Sequence, residues 1–169
     1  MPAAQKMKAP EYQQASAEQL PIISLQDGGH ARVIAGSWVI QGEPLTSPLA
    51  TMAATARVLD LHLPAETQLS FELPAGDTLL AYVYQGTLLG EQPITQGQLV
   101  RFGLGEQVTV QAGNAGLHLL LLAGTPLGEP IVQSGPFVMN TYLNSTHKCN
   151  AHPCINFVRR LPAQAFSRA

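Results

Sequence analysis

Four side chains of the zinc-ligand type crowd into the C-terminal tail: His147, Cys149, His152 and Cys154. Structural zinc sites usually take two ligands from one knuckle and two from a distant element. Four donors in one short run require a tightly wrapped loop, and Pro153 restricts that wrapping. The cluster is a candidate by residue type, but its spacing argues against it. Asp60 and His62 stand at i and i+2, so in a strand they share a face and form half of an imidazole–carboxylate site. A hydrogen-bonded or solvent-facing pair is the simpler reading. His118 interrupts an apolar run and reads as a satisfied core or edge histidine. His30 follows Gly28-Gly29 and reads as a turn residue. Ser134-Gly135 lacks the flanks of a nucleophile elbow. Gly103-Leu104-Gly105-Glu106 lacks the strand–helix setting of a phosphate loop. Trp38 has no basic neighbours to make it a base-stacking platform, so it reads as core or interface. No catalytic, cofactor-binding or metal-ligating residue is assigned.

The elements that would position these residues are strands. Short apolar runs alternate with turn signals: Ala31–Ala35, Val58–Leu63, Ser70–Leu73, Thr78–Gln85, Thr87–Leu89, Gln98–Phe102, Gln107–Ala112 and Leu117–Leu122. Seven or more short strands at this spacing mark an all-β sandwich or barrel. No stretch between Ile22 and Gly135 keeps the 3.6-residue period of an amphipathic helix. Residues 1–21 are polar and proline-containing and read as an arm or linker, with one helical turn available at Ser16–Gln19. The barrel is placed at 22–141. Residues 142–169 form a divergent, irregular tail for which disorder is one reading.

At 169 residues the chain suits one domain. Charged residues make up only 12% and the net charge is −2, so the clustered Lys and Arg of a nucleic-acid surface are absent. With 46% apolar residues the composition supports a core and argues against disorder. The low charge leads to the expectation that part of the surface is covered by a partner. The longest apolar run, Leu117–Ala123, is too short to span a bilayer, and the polar residues after Met1 lead to the expectation that no secretory leader is present. Both readings favour a cytoplasmic protein.

One string is more specific. Gly135-Pro136-Phe137-Val138-Met139-Asn140-Thr141, preceded by Glu129-Pro130, resembles the end of the C-terminal barrel of pirin-family proteins. Pro2-Ala3-Ala4-Gln5-Lys6-Met7-Lys8-Ala9-Pro10-Glu11-Tyr12-Gln13 is similar to the linker between that family's two barrels, and Arg32–Gly36 to the first strand after it. The resemblance implies a cupin-type β-barrel, the double-stranded β-helix or jelly roll. It also implies a bicupin whose first barrel holds Fe(II) through three His and one Glu. Reported family roles are regulatory binding to transcription factors and, in several members, quercetin 2,3-dioxygenase activity. Here the chain opens inside the linker, so the metal-bearing barrel is expected to be missing. The cupin ligand positions fall at Glu72, Pro74, Val110 and Ala112, which cannot form a metal site together. The texture after Thr141 departs from the family's helix, as a frameshifted or degenerate extension would. The expected function is a non-catalytic packing or interaction module, self-associating or bound to a partner barrel. The alternatives are a flavonol dioxygenase that needs a metal-bearing barrel, and a truncated gene product.

Overall fold

Alternation of apolar and polar side chains decides which face of each strand is buried. A computed structural model describes residues 1–6, 8–9, 12–49, 55–103, 105–135 and 137–141. The tail cluster of His147, Cys149, His152 and Cys154 lies outside the described residues, as do Met7, Pro10, Glu11, Leu104 and Pro136. The described residues fall into two compact units. One comprises Met1 and residues 9–127; the other joins residues 2–8 to the described residues from 128 to 141.

The first unit holds ten strands: β1 (Ile22–Ser24), β2 (His30–Ala35), β3 (Ser37–Ile40), β4 (Glu43–Thr46), β5 (Arg57–Leu63), β6 (Gln68–Glu72), β7 (Thr78–Leu89), β8 (Ile94–Thr95), β9 (Leu99–Arg101) and β10 (Gln107–Gly124). All pairings are antiparallel. The large sheet runs β1-β2-β5-β10-β7-β8, with β6 on β10 and β9 on β7. β3 and β4 form a separate hairpin, and the two sheets do not close into a continuous ring. The architecture is all-β and of the cupin type. Among the described residues no helix is long and apolar enough to cross a membrane.

β5 shows how the pattern works. Leu59, Leu61 and Leu63 are buried, while Val58, Asp60 and His62 lie half-buried on the opposite face. Leu117, Leu119 and Leu121 of β10 and Ala81 and Val83 of β7 meet them. Trp38 and Ile40 of the hairpin, Leu69 and Phe71 of β6, and Val108 and Val110 of β10 complete one apolar cluster.

β10 is a single strand of 18 residues where the sequence suggested two. Its first half pairs with β6 and its second half with β5, and β7 pairs along both. β7 likewise continues through Gly86, which the sequence reading took as an end. These glycines bend the strands without ending them. Gly86 sits at φ +78°, and a Cβ built there would meet the Gly116 carbonyl oxygen at 2.1 Å. Only the absence of a side chain lets the two strands approach at this bend. The β3–β4 hairpin was not anticipated. Gln41 and Gly42 both have positive φ, 50° and 81°, the requirement of a type I′ turn. Pro44 in β4 disguised the run, and an edge strand tolerates it. β1 and β8 also escaped the sequence reading, being only three and two residues long.

The second unit contains a 3-10 turn at Ala3–Gln5 and a two-stranded ribbon, β11 (Val132–Ser134) with β12 (Phe137–Met139).

Candidate functional site

The outer face of the large sheet, opposite the core, gathers the histidines. Register aligns His30 of β2 with His62 of β5, and His62 with His118 of β10. The His62 and His118 rings stack at 3.9 Å with an 11° tilt, and His30 lies 4.3 Å from His62 on the other side. His30 therefore belongs to a strand and to this row, not to a turn as its preceding glycines suggested. His118 is half-buried on the outer face and is not a core residue.

Tyr84 completes the cluster, and sequence reasoning missed it. The β7–β10 register pairs Leu119 with Val83 but His118 with Gln85, so Tyr84 is the extra residue of a bulge. Such a bulge re-aims a side chain, and Tyr84 meets both His62 and His118 edge-on. Its hydroxyl donates to Asp60 Oδ1 at 2.6 Å and contacts His62 Nε2 at 2.5 Å. One hydroxyl proton serves one acceptor, so His62 Nε2–H is the donor in the second bond. Asp60 Oδ1 also lies 3.3 Å from His62 Nε2. The hydrogen-bonded reading of Asp60 and His62 holds, with Tyr84 as the mediator. Burial, reinforced by the Asp60 carboxylate, raises the Tyr84 phenol and keeps it protonated. Burial lowers His62; Asp60 opposes this, while His118 and His30 add to it.

The sign of the resulting pH dependence follows. The folded protein holds the His62 proton less tightly than the unfolded chain does. Stability from this group is therefore complete above the ordinary histidine value of 6.5 and is lost as pH falls below it. The facing groups are Asp60 on the same strand, His30 and Arg32 on β2, His118 on β10 and Tyr84 on β7. We expect urea unfolding of the native chain to show this decline, and H62Q to show a shallower one. An equal slope in both proteins would assign the decline to other groups.

The interior offers a different chemistry. Val110 and Ala112 are fully buried in the apolar cluster, and Glu72 and Pro74 are exposed. Inward-facing donors of the kind a cupin metal needs do not occur at these positions, so the residues present do not fit such an ion. Among the described residues no group of three or more His, Cys, Asp or Glu is placed to hold one.

The string that carried the family resemblance has a structural role in the second unit. Glu129 Oε2 accepts from the Ala3 amide at 2.8 Å and from Asn140 Nδ2 at 2.9 Å. Asn140 Nδ2 also donates to the Pro130 carbonyl at 2.9 Å, and Lys6 Nζ to the Val138 carbonyl at 3.2 Å. These bonds fasten residues 2–8 to the segment bearing β11 and β12.

Strand order, core and site together define a cupin-type β domain without an internal metal-ligand set among its described residues. The profile of the Pirin C-terminal cupin domain matches residues 58–144. This chain belongs to the pirin family, through that C-terminal cupin domain. A Vibrio cholerae relative, whose name assigns it provisionally to quercetin 2,3-dioxygenase, is 36% identical over 141 residues, covering 83% of this chain and 50% of its own length. Pirin-1 of Arabidopsis thaliana is 34% identical over 148 residues, with coverages of 83% and 50%. The crystal structure of quercetin 2,3-dioxygenase from Acinetobacter baumannii superposes with a TM-score of 0.79 at 29% identity, over 89% of this chain and 51% of that one. The chain thus spans about half the length of the relatives it matches.

Proposed function

We propose that this chain acts as a non-catalytic cupin module that packs through the outer face of its large sheet, against a second copy of itself or a partner barrel. The supporting observation is the composition of that face. Ile22, Arg32, Asp60, Leu120, Tyr82 and Leu99 lie in one register row across it. Ile22, Tyr82 and Leu99 are 51%, 38% and 49% exposed, and Leu122 in the adjoining row is 37% exposed. Large apolar side chains gathered on one face mark an interaction surface. The polar groups among them are already oriented by the Tyr84 network, which limits the ordering cost of docking.

Light scattering of the native chain and of the Y82S/L122S double variant tests this reading. We expect the native chain to self-associate as concentration rises and the variant to remain monomeric. A native chain that stays monomeric at high concentration and binds no hydrophobic dye would overturn it. The names of the relatives support a second reading, in which flavonol dioxygenase activity arises only together with a metal-bearing barrel. Stoichiometric Fe(II) binding or flavonol turnover by this chain alone would contradict the non-catalytic proposal.

A further inference from the structure

The outer face of the large sheet is self-complementary about β2 and β5. One register row begins Ile22, Arg32, Asp60, Leu120, on β1, β2, β5 and β10. Its order is apolar, positive, negative, apolar. The row beside it runs Ser24, His30, His62, His118 on the same four strands. A two-fold axis in the plane of the face, parallel to the strands and midway between β2 and β5, exchanges β2 with β5 and β1 with β10. It sets Arg32 over Asp60 of a second copy, and Asp60 over that copy's Arg32. Ile22 then meets Leu120, and His30 meets His62. Each contact occurs twice, as an isologous interface requires.

These side chains are accessible. Ile22 is 51% exposed, and the His62 and Asp60 side chains keep 25% and 20% of their surface. Arg32, His30, His118 and Leu120 are half-buried. The charges select among occupants. Arg32 and Asp60 cancel, so while the imidazoles are neutral these four strands offer a strongly acidic or basic partner no excess of opposite charge. A second copy brings the opposite charge to each of the two residues.

The histidine row makes such a contact sensitive to pH. His62 has an imidazole on either side, with ring centroids 3.9 Å and 4.3 Å away. The groups facing it are Asp60 on β5, Arg32 and His30 on β2, His118 on β10 and Tyr84 on β7. Burial already lowers His62, and the two neighbouring imidazoles add to this against the opposing pull of Asp60. A second row laid over the first removes more water and adds further imidazoles, so the lowering grows. Protonation therefore favours the uncovered face. Association is undiminished above pH 6.5 and weakens once pH falls below the lowered His62 value.

We propose that the occupant of the outer face is a second copy of this chain, related by a two-fold axis between β2 and β5, and that protonation of the histidine row releases it. This rests on the outer face being the packing surface.

Sedimentation velocity of the native full chain, with hydrophobic-dye binding in parallel, tests it. We expect a dimer at about pH 7.5 and a dissociation constant at least about tenfold higher at about pH 5.5. H30Q/H62Q has no proton to gain at these positions, so its own dissociation constant should be the same at both pH values. R32E sets like charges face to face and should weaken the native dimer at least about tenfold at the higher pH. I22C/L120C reports the axis without touching Asp60. Three strand spacings separate these positions within one chain, roughly 14 Å, beyond the reach of a disulfide. Oxidation at about pH 7.5 should therefore yield a covalent dimer, with the native chain and its Cys149 and Cys154 as the control. A native dissociation constant equal at both pH values would overturn the proposal and leave the outer face as the interface. So would an associating chain in which I22C/L120C forms no cross-link. A native chain that is monomeric at about pH 7.5 yet binds the dye would assign the face to a different partner and overturn this proposal alone. A monomer that binds no dye would overturn the outer-face reading with it.

Discussion

Replacing Gly86 by alanine is expected to cost this protein about 3 kcal/mol or more, a loss in the range of backbone strain combined with overpacking. Two effects act together. The residue sits at φ +78°, a region that side chains other than glycine enter at a cost. The added Cβ would also stand 2.1 Å from the Gly116 carbonyl oxygen and 2.8 Å from its carbon. Those are backbone atoms of a paired strand and cannot turn aside as a flexible side chain can. Relief requires β7 and β10 to separate where β10 passes from β6 to β5, so the bulge that aims Tyr84 should loosen as well. Gly76 supplies the control: its φ is +86°, yet nothing lies within 4 Å of its would-be Cβ. G76A therefore carries the conformational cost alone, and the difference between the two variants in urea unfolding isolates the close approach. Equal losses in G86A and G76A would show that the strands part freely at this point.

The same bend explains what could be read in the sequence and what could not. The alternation in Val58–Leu63 was legible because it is local: every second residue faces the core, and Asp60 with His62 necessarily fell on the other side. Leu117–Leu122 was legible as a strand but not in its facing. His118, Leu120 and Leu122 belong to the outer surface, and an unbroken apolar run conceals that. His30, His62 and His118 become neighbours only through the β2–β5–β10 register, a long-range property that no local pattern encodes. Tyr84 was further out of reach, since its aim depends on a one-residue slip between β7 and β10. A signal existed in Gly86, but a glycine in a strand reads equally as an end or a bend. The family string from Glu129 to Thr141 was legible as a resemblance, yet its hydrogen bonds to residues 2–8 come from the fold.

Removing the charge of Asp77 is expected to destabilise the protein by about 3 kcal/mol, the lower end of the range for breaking a buried ion pair. The Asp77 side chain is 3% exposed and that of Arg57 16%. Asp77 pairs with Arg57 Nη2 and also accepts from Thr125 Oγ1 at 2.8 Å. In D77N the shape and the Thr125 bond can persist, but Arg57 keeps a positive charge with little water to solvate it. Its residual exposure places the loss at the lower end. R57M/D77N leaves neither charge, so it should recover part of the loss, giving a favourable coupling between the two sites in the double-mutant cycle. A loss below about 1 kcal/mol in D77N would class the pair with surface salt bridges, which contribute little.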